Sequence, residues 1–194
     1  MLASSKIKNE LDLLRESVPV IASYGNYAAS GGYWISANTD KIFSNATTLT
    51  GSIGVFSMIP DFSGTLKNKV HVNVTTVNSN EHSDMYTLFR PLDAAETAYM
   101  QASVENIYDR FTSIVATGRD MTVEEVDAIA QGRVWAGSEA VNIGLVDQIG
   151  GLQYAIAIAA DKAECLDDYM VRESMGEQTG LAALLSSLEA HISD

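Results

Sequence analysis

The stretch that decides the fold is "YAASGGYWIS", residues 27–36, which follows the apolar run "VPVIASYG", residues 18–25. The run is short, apolar and rich in β-branched residues, so it predicts a buried strand. Residues 28–38, "AASGGYWISAN", predict a helix that begins near Ser30. A strand, a sharp turn, a serine and a helix in this order are typical of a nucleophile elbow, although the Gly-x-Ser-x-Gly pattern itself is absent.

The rest of the chain continues the alternation of strands and helices. Further strands are predicted at residues 40–45, within 46–55, at 71–78 and at the start of 134–151. Helices are predicted at residues 4–16, 93–118, 121–132 with a capping box from Thr122 to Glu125, in 134–151 with Ser138 as cap, and at 152–166. This order predicts an α/β fold with a largely parallel sheet flanked by helices. We expect one domain at residues 1–165 and a tail at 166–194 with an amphipathic helix.

Composition excludes several classes of function. The 25 acidic residues outnumber the 12 basic ones and give a net charge of -13, which argues against a nucleic-acid partner and against docking on anionic lipid. Cys165 is the single cysteine, so no intrachain disulfide can form. The three histidines lack the spacing of metal ligands, and we expect neither a metal site nor a cofactor.

Ser30 has two interpretations on its position alone. It can cap the following helix by accepting a backbone N–H bond. It can also be a nucleophile, because Gly31 and Gly32 let a substrate approach closely and the helix start offers N–H groups to an oxyanion. A serine hydroxyl needs a base, for which His71, His82 or a lysine are candidates.

Two segments carry a resemblance to a known family. "PVIASYGNYAASGGYWISANTDKIFSNATTLTGSIGV" and "RVWAGSEAVNIGLVDQIGG" resemble the signal peptide peptidase A family, also called protease IV, over roughly residues 4–160. The resemblance implies a ClpP/crotonase-like fold. It also implies a membrane-anchored serine protease that degrades cleaved signal peptides on the outer side of the bacterial cytoplasmic membrane, with an anchor outside this chain.

The same resemblance implies roles for individual residues. Ser30 matches the nucleophile of a Ser-Lys dyad, and Ser52 matches the serine that holds the catalytic lysine. Gly31 and Gly32 match the glycines after the nucleophile, and the Ser30 N–H is the expected oxyanion donor. We further expect Tyr33, Ile53, Val55 and Phe56 to line an apolar groove for extended peptides.

The lysine of the dyad has no counterpart at the expected position. Short members of the family carry it before an Asp-Met pair, where this chain has Ser83 before Asp84. Lys41, Lys67 and Lys69 lie in other segments. Long members supply the lysine from their N-terminal half, so this chain resembles the C-terminal half of a long member. The family's Ser-Pro-Gly-Gly turn, which gives the second oxyanion donor, is expected before Met1.

Two other functions compete with the peptidase. One is a crotonase-like acyl-CoA enzyme, although so acidic a chain shows no basic site for the CoA phosphates. The other is a non-catalytic half that only assembles an oligomer. Self-association is expected in any case, because the last predicted helix carries an apolar stripe and the family forms ring- or dome-shaped oligomers. The stripe consists of Leu181, Leu184, Leu185, Leu188 and Ile192.

Overall fold

A computed structural model describes residues 2–174 of the chain. Its helices are α1 (Leu2–Arg15), α2 (Gly31–Ser36), α3 (Ser63–Thr65), α4 (Ala94–Arg119), α5 (Val123–Ile129), α6 (Gly137–Asn142) and α7 (Leu152–Lys162). A π-helical turn, Leu66–Val70, follows α3. The strands are β1 (Ile21–Tyr24), β2 (Tyr27–Ala29), β3 (Lys41–Ser44), β4 (Leu49–Gly51), β5 (Val134–Ala136) and β6 (Gln148–Ile149).

The strands form two small sheets. The first has the order β1-β3-β6 and is parallel throughout. The second has the order β2-β4-β5, in which β2 and β4 are parallel and β5 is antiparallel to β4. Parallel pairing requires crossover connections, and α2 is the link from β2 to β3. The predicted α/β fold with largely parallel strands flanked by helices is therefore confirmed.

The core lies directly behind the serine stretch. Tyr33 is fully buried and its hydroxyl donates to the carbonyl oxygen of Leu145 at 2.8 Å. Trp34 is equally buried and packs on Phe111 of α4, with the ring centroids 4.8 Å apart. Because large buried aromatic side chains anchor α2 on both sides, the position of the residue before the helix is fixed as well.

A carboxylate ties the first sheet together. Asp147, just before β6, accepts bonds from the backbone N–H of Ile42 at 2.8 Å and from Arg119 at 2.9 Å. Its other oxygen accepts from Lys41 at 3.1 Å. Burial opposes the charge, but the Arg119 and Ile42 bonds outweigh it and lower the pKa of Asp147. Asp147, the last residue of the "GLVD" segment, therefore stabilises the fold.

Several predicted elements are confirmed and others are wrong. The capping box is present, since Thr122 accepts from Glu125 N at 3.1 Å and Glu125 accepts from Thr122 N at 2.8 Å. Residues 71–78 form no strand and are exposed. The helix α6 begins at Gly137, where the Glu139 side chain accepts from Ala136 N, so Ser138 is not its cap. The amphipathic helix expected in the tail lies outside the described residues.

Candidate active site

Ser30 occupies a strained corner between β2 and α2. Its backbone has φ 53° and ψ -118°, a combination that a residue with a Cβ rarely adopts. Such conformations cost about 1–3 kcal/mol and persist only where the surroundings impose them. The Ser30 N–H donates to Gly51 O at 2.9 Å, and the side chain makes no capping bond to α2. Ser30 is the N-cap residue of α2 by position, but the interpretation that its side chain caps the helix is wrong.

Ser52 lies at the matching place on the neighbouring strand. Ala29 and Gly51 are direct partners in the parallel ladder of β2 and β4, so Ser30 and Ser52 each follow a paired residue. Neighbouring strands lie about 4.8 Å apart, which brings both serines to the same sheet edge. Ser52 also has a positive φ, 49°, and its N–H donates to Arg133 O at 2.7 Å.

The two serines open into one cleft of about 350 Å³. Its lining consists of Ser30, Ser52, Gly54, Val55, Phe56, Tyr108, Gln131 and Gly132. Phe56 is 89% exposed and Val55 is half-buried, so both can contact a ligand there. Tyr33 and Ile53 are in the core, with 0% and 1% exposure, and the prediction that they line the groove is wrong.

A glycine contact shapes one wall of the cleft. A Cβ on Gly54 would lie 2.5 Å from the Cα of Gly132, so only glycine permits this approach of the two backbones. The Gly132 N–H donates to Ile53 O at 2.9 Å and ties the wall to the segment after Ser52. Gly54 belongs to the first of the two segments that carry the family resemblance, but nothing in the sequence indicates that it contacts Gly132.

Tyr108 supports the same wall from α4. Its hydroxyl donates to Asp127 and accepts from Gln131 N at 3.3 Å. Burial and the bond to Asp127 raise the pKa of Tyr108 to about 12, so the phenol stays protonated at neutral pH. Sequence reasoning missed this residue, because Tyr108 fits the apolar stripe of α4 as well as any core residue does.

The Ser30 amide, which the sequence analysis expects to be the oxyanion donor, already has a hydrogen-bond partner in this structure. That N–H is already committed to Gly51 O, which the parallel register places opposite the corner. In the part of the chain that the structure describes, the N–H groups of Gly31 and Gly32 donate to no acceptor. These two amides at the start of α2 are the ones free to meet a developing negative charge.

None of the bases considered from the sequence lines this cleft in the described residues. Lys41 is paired with Asp147, and Lys67 and Lys69 are exposed on the π-helical turn. His71 is exposed just after that turn. His82 lies 3.2 Å from Glu96 near the start of α4.

The segment that contains Ser83 is held by an ionic cluster. Arg90 binds Asp84 at 2.6 Å and Glu96 at 2.7 Å. The bond from Arg90 is the main reason that the pKa of Glu96 falls to about 2. Ser83 itself donates to Asn80 O at 3.1 Å and is exposed.

The same cluster could suggest a metal site. His82, Asp93 and Glu96 bring one ligand atom each within 4.8 Å of one another. However, Asp93 and Glu96 accept each other's backbone N–H in the capping box of α4, and Arg90 occupies both Glu96 oxygens. These bonds account for the carboxylates as a support for the segment before α4.

A strained serine at a strand-to-helix corner, beside a second polar group at the same sheet edge, is an arrangement used by hydrolases with a serine nucleophile. Comparison with known sequences is more specific, because Peptidase family S49 matches residues 12–166. The chain belongs to this family.

Two relatives and two solved structures give the range of similarity. Protease 4 from Haemophilus influenzae is 42% identical over 165 residues, which are 84% of this chain and 26% of that protein. The putative signal peptide peptidase SppA from Enterococcus faecium is 38% identical over 181 residues, 93% of this chain and 52% of that protein. A point mutant of ClpP1 from Listeria monocytogenes is similar with a TM-score of 0.43 and 12% identity, over 79% of this chain and 87% of that one. A putative enoyl-CoA hydratase/isomerase family protein from Hyphomonas neptunium has a TM-score of 0.40 and 16% identity, over 84% of this chain and 42% of that one.

The chain thus spans between about a quarter and about half of the length of these two relatives. Within the described residues, no helix combines the length and the apolar character needed to cross a membrane.

Proposed function

We propose that this chain is the serine-bearing part of a Ser-Lys endopeptidase that cleaves apolar, extended peptides such as signal-peptide remnants. The observation that carries the proposal is the position of Ser30 and Ser52 at the C-terminal ends of β2 and β4. Both serines have a strained backbone, and each directly follows a residue of the last pair in the ladder. Family membership supports a peptidase, and the names of the relatives support the substrate class. The cell location is proposed as the outer side of the bacterial cytoplasmic membrane.

The reaction begins at Ser30. Its Oγ attacks the peptide carbonyl carbon while a neutral lysine amine takes the hydroxyl proton, as in Ser-Lys hydrolases. The carbonyl oxygen becomes an oxyanion that the Gly31 amide stabilises, and collapse expels the amine product with the proton from the lysine. Water then hydrolyses the acyl-serine by the same route. Ser52 holds the lysine by a hydrogen bond from the neighbouring strand.

The lysine itself is proposed to come from an N-terminal half of the longer protein. The cleft beside Ser30 and Ser52 is lined by no lysine among the described residues, and its free volume of about 350 Å³ leaves room for one to enter. Ser30 and Ser52 both line the cleft, so an amine that enters it can lie near both residues.

Val55 and Phe56 form the proposed apolar wall of the substrate groove. They belong to a segment after β4 without regular structure, to which an extended peptide can add as a strand. Val55→Asp in the longer protein is expected to lower cleavage of Leu- or Ala-rich peptides by about 10- to 200-fold relative to polar ones, the usual range for apolar pockets. Relative kcat/KM values for paired peptides measure this, with Val77→Asp, a fully exposed position, as control. An unchanged preference with an intact fold removes Val55 from the groove.

Two other functions remain in competition and one experiment separates them. A fluorophosphonate probe labels an activated serine, whereas a crotonase-like acyl-CoA enzyme or a purely assembling half has no reactive serine. Labelling of the longer protein at Ser30, absent in Ser30→Ala and retained in Ser57→Ala, is the expected result. Binding of CoA without labelling would favour the acyl-CoA enzyme, and neither signal would favour the assembling half.

A further inference from the structure

Part of the wall of the serine cleft is a strained turn, Gln131–Gly132, which lies between α5 and β5. Both residues have a positive φ, 56° for Gln131 and 78° for Gly132, and glutamine rarely adopts this conformation. A residue with a side chain keeps such a conformation only where the surrounding structure imposes it. The contacts of Gln131 therefore show what holds this wall in place.

Two side chains from different helices hold Gln131. Its backbone N–H donates to the hydroxyl of Tyr108 on α4 at 3.3 Å, and its side-chain Nε2 donates to Oδ2 of Asp127 on α5 at 3.3 Å. The Tyr108 hydroxyl in turn donates to Oδ1 of Asp127. The three residues thus form a closed set of hydrogen bonds. Because the half-buried Tyr108 ring packs against the hydrophobic core, the core fixes the position of its hydroxyl.

The turn is bonded directly to the segment that carries Ser52. The Gly132 N–H donates to Ile53 O at 2.9 Å, and the Ser52 N–H donates to Arg133 O at 2.7 Å. Ser52 itself has a φ of 49°, so its conformation also depends on its surroundings. Since Ser52 and the residue after it are both bonded to the 131–133 segment, a displacement of that segment would move the backbone at Ser52.

Tyr108 lines the cleft, but its hydroxyl has one proton, which it gives to Asp127. It therefore cannot donate to a substrate while that bond is present. We infer that Tyr108 and Asp127 are positioning residues, which hold Ser52 in place through the Gln131–Gly132 turn. The inference rests on the proposed function, in which Ser52 holds the lysine of the dyad.

The first test is the Tyr108→Phe variant of the longer protein, which loses the hydroxyl and keeps the ring. We expect kcat for an apolar peptide to fall about tenfold with KM little changed, the usual size of effect for one hydrogen bond to a charged group. Tyr99→Phe, an exposed tyrosine of the same helix outside the cleft, is the matched control and should be silent. Equal kcat values for the two variants, in a protein that Ser30→Ala inactivates, would overturn the inference.

Three further variants separate positioning from a general loss of stability, with melting temperatures to show that each is folded. Tyr108→Phe in the Ser52→Ala background should have no further effect on kcat, because the hydroxyl that it positions is absent. Asp127→Asn keeps an acceptor for the Tyr108 hydroxyl and should retain most of the activity, whereas Asp127→Leu should behave as Tyr108→Phe does. Losses that multiply in the double variant, or equal losses for the two Asp127 variants, would overturn the inference. Undiminished hydrolysis by Ser30→Ala would refute the proposed function itself, and the inference would fall with it.

Discussion

Replacing Ser30 with alanine is expected to lower peptide hydrolysis by the longer protein by a factor on the order of 10⁴ or more. The Oγ is the proposed attacking atom, and among the described residues it is the hydroxyl that occupies the strained corner. Alanine can adopt the same φ and ψ at a similar cost, so the variant should fold. The measurement is kcat/KM for an apolar peptide, together with the melting temperature of each variant.

The Ser52→Ala variant is compared with Ser30→Ala to separate a positioning role from the nucleophile. It removes a group that is proposed only to position the lysine, so kcat should fall by a smaller factor, about 10²–10³, with KM little changed. Ser57→Ala, an exposed serine outside the cleft, is the matched control and should be silent. Substantial hydrolysis by Ser30→Ala would assign the nucleophile elsewhere and remove the proposed mechanism.

The corner at Ser30 could be predicted from the sequence because several local signals agree there. The apolar run before it, the small residues in the turn and the aromatic residues after it all favour a strand followed by a buried helix. The separate strand β2 was missed, although Gly25-Asn26 is a turn signal that divides it from β1. Three-residue strands such as β2 carry too little pattern to be recognised without their partner.

The wrong predictions at the site have a common cause. Proximity in the sequence does not show which way a side chain or a backbone N–H points. Ile53 follows Ser52 directly, yet Ser52 lines the cleft whereas Ile53 is 1% exposed and lies in the core. Tyr33 lies on the buried face of α2, because successive residues of a helix point in different directions. The sequence does not show the register of β2 and β4, and in that register the Ser30 N–H donates to Gly51 O.

Residues 71–78 have the alternating pattern of a β-strand but form no strand in the structure. Val72, Val74 and Val77 nearly alternate with polar residues, yet they are exposed and unpaired with any described strand. Alternation predicts a half-buried strand only if a second surface covers the apolar side. The wall of the cleft at Gly54 and Gly132 depends similarly on contacts between residues far apart in the sequence.

The 194-residue chain alone is expected to have no measurable peptidase activity. If the base is supplied from outside this chain, as proposed, its loss costs about 10²–10⁴-fold, so the rate should be at least about 10² below that of the longer protein. The structure is consistent with this expectation, because Lys41 is paired with Asp147 and the cleft is lined by no lysine in its described part. Initial rates on one apolar peptide, with chain and longer protein at equal concentration, measure the difference.

An added amine provides the sharper form of this test. A small alkylamine can enter the cleft of about 350 Å³ and act as the base beside Ser30 and Ser52, so methylamine should restore part of the activity in a saturable way. The rescued rate should rise with pH, because only the unprotonated amine can accept the Ser30 proton. Ser30→Ala should abolish the rescue. Ser52→Ala should raise the methylamine concentration that gives half of the maximal rescued rate. Activity of the chain without amine that is lost in Ser30→Ala would contradict the proposal that the lysine comes from elsewhere. If Lys41→Gln also removed that activity, the base would be assigned to Lys41 of this chain.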